Sequence, residues 1–489
     1  MALPWMFGVE MEFCVAFIYP RPVPLPDPAE TRRLRFKPLR GEIDEAINAY
    51  SLPPITSTAE LANETVYKEA FFGQLMAEAV QRDIAQMLHE AGFPVNRSHP
   101  DEEDVSNWQI GEDGSINRPG ETSYHWTGVE VKSPALAFNE QNLKAVEEVC
   151  NLITKNYVVN VNRTCGLHIH VSAGLETNFR LETMQNLFAI CWAFETPQLD
   201  SLHPPNRQNS YYARSTRNDS IFTDLWWKQY GQLPTLAQGV VELLKKDDLL
   251  ELITAVCYVW KGKTMRYNPL NMFKLLDKTE RGRLFRNPPR TIEFRQHEGT
   301  LEPERIRAWI TTVVGIINFA DTTDQDSLKQ LFRKAEDDEW TVIDLFRSMH
   351  LGEQADYYQD KLNPVVAARL PRRPTVWKWE YEELKSKGQI SDDEYQEQHQ
   401  LRLLWEQSLT ASLAQPKSVS STFDPDDQMW PKHVRVNKWP PKENDHNLSD
   451  NEVNALFDLL SDKDSDLFSE EDDQEGVQED DKKKITRPT

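Results

Sequence analysis

Four short segments, far apart in the chain, alternate apolar and polar residues with a period of two. They are Gly8-Val9-Glu10-Met11-Glu12-Phe13, Gly128-Val129-Glu130-Val131-Lys132, Gly166-Leu167-His168-Ile169-His170-Val171 and Thr291-Ile292-Glu293-Phe294-Arg295-Gln296-His297. Side chains alternate across a strand, so Glu10 and Glu12 share one face while Val9, Met11 and Phe13 share the other. The same split sets Glu130 and Lys132 against Val129 and Val131, and His168 and His170 against Leu167, Ile169 and Val171. In the fourth segment it sets Glu293, Arg295 and His297 against Ile292 and Phe294. If the four strands lie side by side, four carboxylates and two imidazoles converge on one surface.

Helical spacing of apolar residues marks Thr65 to Ala91, stopped by Gly92 and Pro94, and recurs near Asn139 to Thr154, Leu181 to Phe194, Val240 to Tyr258 and Glu304 to Phe319. Trp108 to Ile116 alternates around a turn and reads as a hairpin feeding the Glu130 strand, while Pro20 to Pro28 and Arg32 to Arg40 read as a loop excursion. Irregular alternation of strands and helices predicts an α+β domain over residues 1–350, its mainly antiparallel sheet covered by helices on one side. Residues 375–415 turn strongly helical, with a break at Gly388 and acidic residues opening the next helix at Ser391-Asp392-Asp393-Glu394. Glu382 to Leu404 resembles the short helix-turn-helix called SHOCT, an oligomerisation or docking appendage, and fits an ordinary helical hairpin equally well. From residue 418 to 489 periodicity is lost and Pro, Asp, Glu and Ser accumulate, which predicts a disordered acidic tail. Within it Val453, Leu456, Phe457 and Leu460 keep helical spacing and would suit docking to a protein partner.

Charge sharpens this division. Of the formal net charge of −23, Glu443 to Asp481 carries −15, sixteen acidic residues against one lysine, which leaves about −8 for the rest. Such a balance argues against non-specific nucleic-acid binding, which needs a basic surface, and leaves room for a small basic pocket for a phosphate-bearing cofactor. The five cysteines are odd in number and widely spaced without a CxxC pair, as reduced core thiols would be. No leader-like segment opens the sequence and no apolar run reaches the ~18 residues a membrane span needs, so a cytoplasmic or nuclear soluble protein is expected.

The shared polar face carries the candidate chemistry. Converging carboxylates supply the oxygen ligands that Mg2+ prefers, and an imidazole admits Mn2+; zinc sites with this many glutamates are less usual. Such a cation implies a polyanionic substrate. Arg295, with the basic loop running from His203 through Arg207 to Arg214 and Arg217, would hold phosphate oxygens, since the planar guanidinium makes two parallel hydrogen bonds. No GxxxxGK[ST] motif is present, so metals and arginines would have to hold the nucleotide. Asn206, Tyr267, Asn268 and Asn271 are weaker polar candidates nearby in sequence.

With these motifs in order, the chain resembles the amidoligase family, notably its fungal branch, within the superfamily of glutamine synthetase and the glutamate–cysteine ligases. The resemblance runs from about Trp5 to Ala320 and rests on GVEMEF, GVEVKSPAL, CGLHIHVSAG, LHPPNR and TIEFRQHEGTL. It implies a glutamine synthetase-like catalytic domain that uses ATP and Mg2+ or Mn2+. By similarity Glu10, His168 and Glu293 would hold one ion and Glu12 and Glu130 the other, with His170 and Arg295 as catalytic residues facing the phosphates. One position departs: the relatives' second glutamate, eight residues after Glu130, falls on Phe138, with Glu140 nearby. The implied reaction joins a small-molecule or peptide carboxylate to an amine through an acyl phosphate, with Arg207 to Arg217 as a closing loop. Two alternatives stand beside it: a guanidino kinase-like phosphotransferase, and an interaction protein that has lost activity.

Overall fold

The computed structural model describes residues 5–18, 25, 27–36, 69–96, 105–120, 123–208, 210, 212–257, 265–269, 290–335, 337 and 339–365. The helical hairpin at 375–415, the tail at 418–489 and Asn271 lie outside them. Among the described residues, eight strands form a single antiparallel sheet: β1 (Met6–Phe17), β2 (Gln109–Gly111), β3 (His125–Lys132), β4 (Leu136–Ala137), β5 (Val159–Asn160), β6 (Gly166–Ser172), β7 (Tyr267–Asn268) and β8 (Ile292–Glu298). Their order is β2-β3-β1-β6-β8-β7, with β4 and β5 also pairing with β1. The four alternating segments are therefore adjacent strands, as the sequence predicts.

One face of this sheet is apolar. Val9, Met11, Phe13, Val129, Val131, Leu167, Ile169, Val171, Ile292 and Phe294 are all buried to within 1% of complete, each worth about 1.5–3 kcal/mol by removal from water. Three helices cover them: α1 (Glu69–Glu90) over β2 and β3, α2 (Glu140–Asn156) and α7 (Pro303–Thr322) over the centre. The Cys150 thiol of α2 meets Met11 Sδ at 3.4 Å, and Asn318 of α7 accepts a hydrogen bond from Trp5 Nε1 at 3.1 Å. Behind α7 lies α3 (Leu181–Phe194), buried along almost its whole length. The short α4 (Pro205–Gln208) packs against β8.

Three sequence expectations need correction. The helix expected over Val240 to Tyr258 is two helices, α5 (Leu236–Leu244) and α6 (Leu249–Val256). The chain breaks between them because the Asp248 side chain accepts from the Glu251 N–H and starts a new helix. The hairpin expected within Trp108 to Ile116 instead has β2 as its first strand and β3 as its second, with Gly111 opposite Glu130. The third correction concerns the face of His297. Between Leu167↔His297 and Ile169↔Phe294 the ladder of β6 and β8 shifts register, leaving Arg295 and Gln296 opposite His168 alone. This β-bulge reverses the alternation beyond it. His297 accordingly shares the helical face with Leu167, its ring 5.3 Å from that of Trp309 on α7.

Candidate metal and catalytic site

The opposite face gathers the charged residues. Register places Glu12 across from Glu130 and Glu10 across from both Lys132 and His168, while His170 faces Glu293. Glu12, Glu130, His168 and Glu293 are buried, and Glu10 and His170 keep 16% of their side-chain surface. His168 Nδ1 lies 3.1 Å from Glu10 Oε2 and 3.5 Å from Glu293 Oε1, and its Nε2 is 3.5 Å from Glu12 Oε1. His170 Nε2 stands 3.2 Å from Glu10 Oε1 and 3.8 Å from Glu293 Oε1. Five of the expected site residues thus meet around Glu10.

Neighbouring groups fix their orientation. The Gly166 N–H donates to Glu12 Oε2 at 2.6 Å, Asn268 Nδ2 donates to Glu293 Oε2 at 2.9 Å, and Thr291 Oγ1 lies 3.1 Å from His170 Nδ1. A Cβ at 166 would stand 2.6 Å from His168 Nε2, so any other residue there would have to displace that ring. Arg295 pairs with Glu293 through Nη1, and its Nε donates to the Tyr212 carbonyl at 3.2 Å.

Electrostatics divide the carboxylates. Burial pushes the Glu130 carboxyl well above its usual range, and the Glu10 charge beside it pushes the same way. Burial would raise Glu10 too, but Lys132, His170 and His168 outweigh it and hold Glu10 well below the usual range. Glu293 is also lowered, burial being overcome by Arg295 and His170. Burial disfavours a charged His170, yet the charges of Glu10 and Glu293 win and raise its pKa.

Three sets of side chains each bring ligand atoms within 4.8 Å of one another: Glu10 with His170 and Glu293, Glu10 with Glu130 and His168, and Glu12 with Asp113 and Glu130. Buried carboxylates repel, and a divalent cation relieves that repulsion without protonating them. The donor set of carboxylate oxygens with one imidazole fits a hard cation of the Mg2+ or Mn2+ kind. His170 Nε2 supports that fit, for it is buried and finds no aligned hydrogen-bond partner. His170 thereby stands among the potential ligands rather than beside them.

Asp113 is the residue the alternation could not reveal. It lies in the turn after β2, where its Oδ1 accepts from the Ser115 N–H at 2.6 Å, and strand periodicity says nothing about turns. The available signal is topological: once Gly111 pairs with Glu130, a residue two places on falls beside that carboxylate. Asp113 gives the Glu12 and Glu130 pair a third carboxylate.

The arginines separate. Arg295 stands at the carboxylates, whereas Arg207 is buried behind the bulge, its Nη2 donating to the Arg295 carbonyl at 2.7 Å and its Nε toward that of Gln296 at 3.5 Å. Arg214 and Arg217 adjoin a second buried ionic patch. There Arg266 Nη1 meets Asp200 Oδ1 at 2.5 Å and Arg266 Nε lies 3.4 Å from Glu195. The Arg214 carbonyl accepts from Arg266 N–H, while Arg217 donates to the Thr196 carbonyl at 3.1 Å. Asn206 is exposed on α4, and Tyr267 is buried against Phe294. Among the described residues no helix is long and apolar enough to cross a membrane.

A family model described as "Putative amidoligase enzyme" matches residues 3–317, which span every strand of the sheet and most of α7. No curated protein matches the chain.

Proposed function

Because the chain belongs to the amidoligase family, whose name denotes ligases forming amide bonds, we propose that it joins a carboxylate to an amine at the expense of ATP, through an acyl phosphate. The observation that carries this reading is the buried convergence of Glu10, Glu12, Glu130, Glu293, His168 and His170 on one sheet face. A cluster this acidic suits a cation-bound polyphosphate.

Glu10, His170 and Glu293 would hold one divalent ion, with His168 in reach, and Glu12, Asp113 and Glu130 offer a second place. Bound Mg2+ or Mn2+ would neutralise phosphate charge as it shifts toward the leaving group. The substrate carboxylate oxygen attacks the γ-phosphorus and ADP leaves; the amine nitrogen then attacks the acyl carbon, phosphate leaves, and the amine gives up a proton. Arg295, fixed by Glu293 and the Tyr212 carbonyl, points its guanidinium at the same face and would stabilise developing oxyanions. Asn268 and Thr291 would hold Glu293 and His170 in place through both steps.

The test is ADP release by the full-length protein with Mn2+ or Mg2+, supplied with pooled amino acids, polyamines and short peptides, and read with product masses. The expected result is ADP together with a product lighter than its summed substrates by one water, both abolished in Glu293→Gln. ADP with a phosphorylated, uncondensed product would overturn the ligase reading.

A further inference from the structure

Register makes a rectangle of four charged positions on β1 and β3, with Glu10 opposite Lys132 and Glu12 opposite Glu130. Three corners are carboxylates and the fourth is an ammonium. Lys132 Nζ lies 3.0 Å from Glu130 Oε2 and 3.5 Å from Glu10 Oε1, so it bridges two carboxylates of the site. An exposed lysine pair contributes little, but these acceptors keep only 11% and 16% of their side-chain surface, against 41% for Lys132. The stem therefore lies at the rim while the charged end reaches a desolvated patch, in the manner of long amphipathic side chains.

We propose that the Lys132 ammonium takes the place of a second divalent cation, so that the site holds one metal ion at Glu10, His170 and Glu293. This rests on the metal-dependent reading above. Geometry agrees with it: the ammonium stands between Glu10 and Glu130, carboxylates that the possible second cation sets would have to use. Lysine suits the task, being a compact point charge with three donors that can bind phosphate oxygens as well as carboxylates. The Glu12, Asp113 and Glu130 set then has the spacing of a cation site, with Glu130 already engaged by Lys132.

The experiment counts Mn2+ on the full-length protein, with Mn2+ alone as probe, by electron paramagnetic resonance. Two ions bound at neighbouring sets couple their spins, which separates them from isolated ions held weakly elsewhere. Wild type and Lys132→Arg are expected to give one tight, uncoupled Mn2+, and Lys132→Gln two coupled ones, with thermal melting confirming that each variant is folded. A coupled pair in wild type, or a single ion in Lys132→Gln, would overturn the inference and leave the metal reading intact. Absence of tight Mn2+ from all three proteins would overturn both.

Discussion

Glu10 is the hinge of the site because its two neighbouring strands each set a different partner beside it, Lys132 from β3 and His168 from β6. Glu12, Glu293 and His170 each also depend on a neighbour that carries no charge, Gly166, Asn268 and Thr291. Gly166 is the clearest case, since its N–H holds Glu12 while its missing Cβ leaves room for His168. Gly166→Ala should push the His168 ring away and weaken Mn2+ binding about 10- to 100-fold, as loss of an orienting partner typically does; calorimetric titration with Mn2+ measures it. Unchanged affinity would mean that His168 does not orient Glu10 and Glu293, the ligands it touches. At this scale the sequence was informative for strand residues and silent for turn residues. Glu10, Glu12, Glu130, His168, His170, Glu293 and Arg295 were legible because period two is visible in a string. Asp113 was not, because only the pairing of β2 with β3 brings its turn to Glu130.

Among the elements, β8 departs most from a regular pattern. Its bulge leaves Arg295 on the charged face and turns His297 to the helices, where it meets Trp309 of α7 and His203 ahead of α4, ring centres 5.3 and 5.7 Å away. Simple alternation put His297 with Glu293, since an inserted residue reverses parity without any mark in the sequence. The consequence is electrostatic. Burial lowers His297 to about 3, and lowers His203 well below its usual value with the His297 charge adding to it. Both rings are thus neutral when folded and titrate near ~6.5 when unfolded. Unfolding therefore binds protons below that value, so their contribution is present above pH ~6.5 and is lost as pH falls toward 3. The raised Glu130 and His170 act in the opposite sense, gaining as pH falls, so the comparison must isolate one ring. Urea midpoints measured from pH 7 to pH 5 should fall less steeply in His297→Gln than in wild type. Parallel slopes would show that His297 is not buried as a neutral ring. Helix prediction failed for a related reason of detail: the apolar period runs on from α5 into α6, and only the Asp248 cap divides them.

Across the whole molecule, the sheet separates structure from chemistry. Its apolar face, under α1, α2 and α7, supplies rigidity, and its other face holds charges that would repel one another in a looser scaffold. Fold class and strand adjacency were readable because four distant segments shared one alternation, and the amidoligase match over residues 3–317 agrees with the extent expected from the motifs. The separation of the arginines was less readable. Arg207, Arg214 and Arg217 looked equivalent in a basic loop, yet burial and backbone carbonyls engage Arg207 at the bulge and draw Arg217 toward Thr196. The central claim concerns a bond that forms and breaks between substrate atoms, so it is tested by following one of those atoms. Pooled amino acids and peptides whose carboxylates carry 18O, incubated with ATP, Mn2+ and an amine pool, should yield inorganic phosphate containing one 18O per ligation, because the attacking oxygen leaves with the phosphorus. Phosphate released without 18O, while product accumulates, would contradict the acyl phosphate and with it this account of the site.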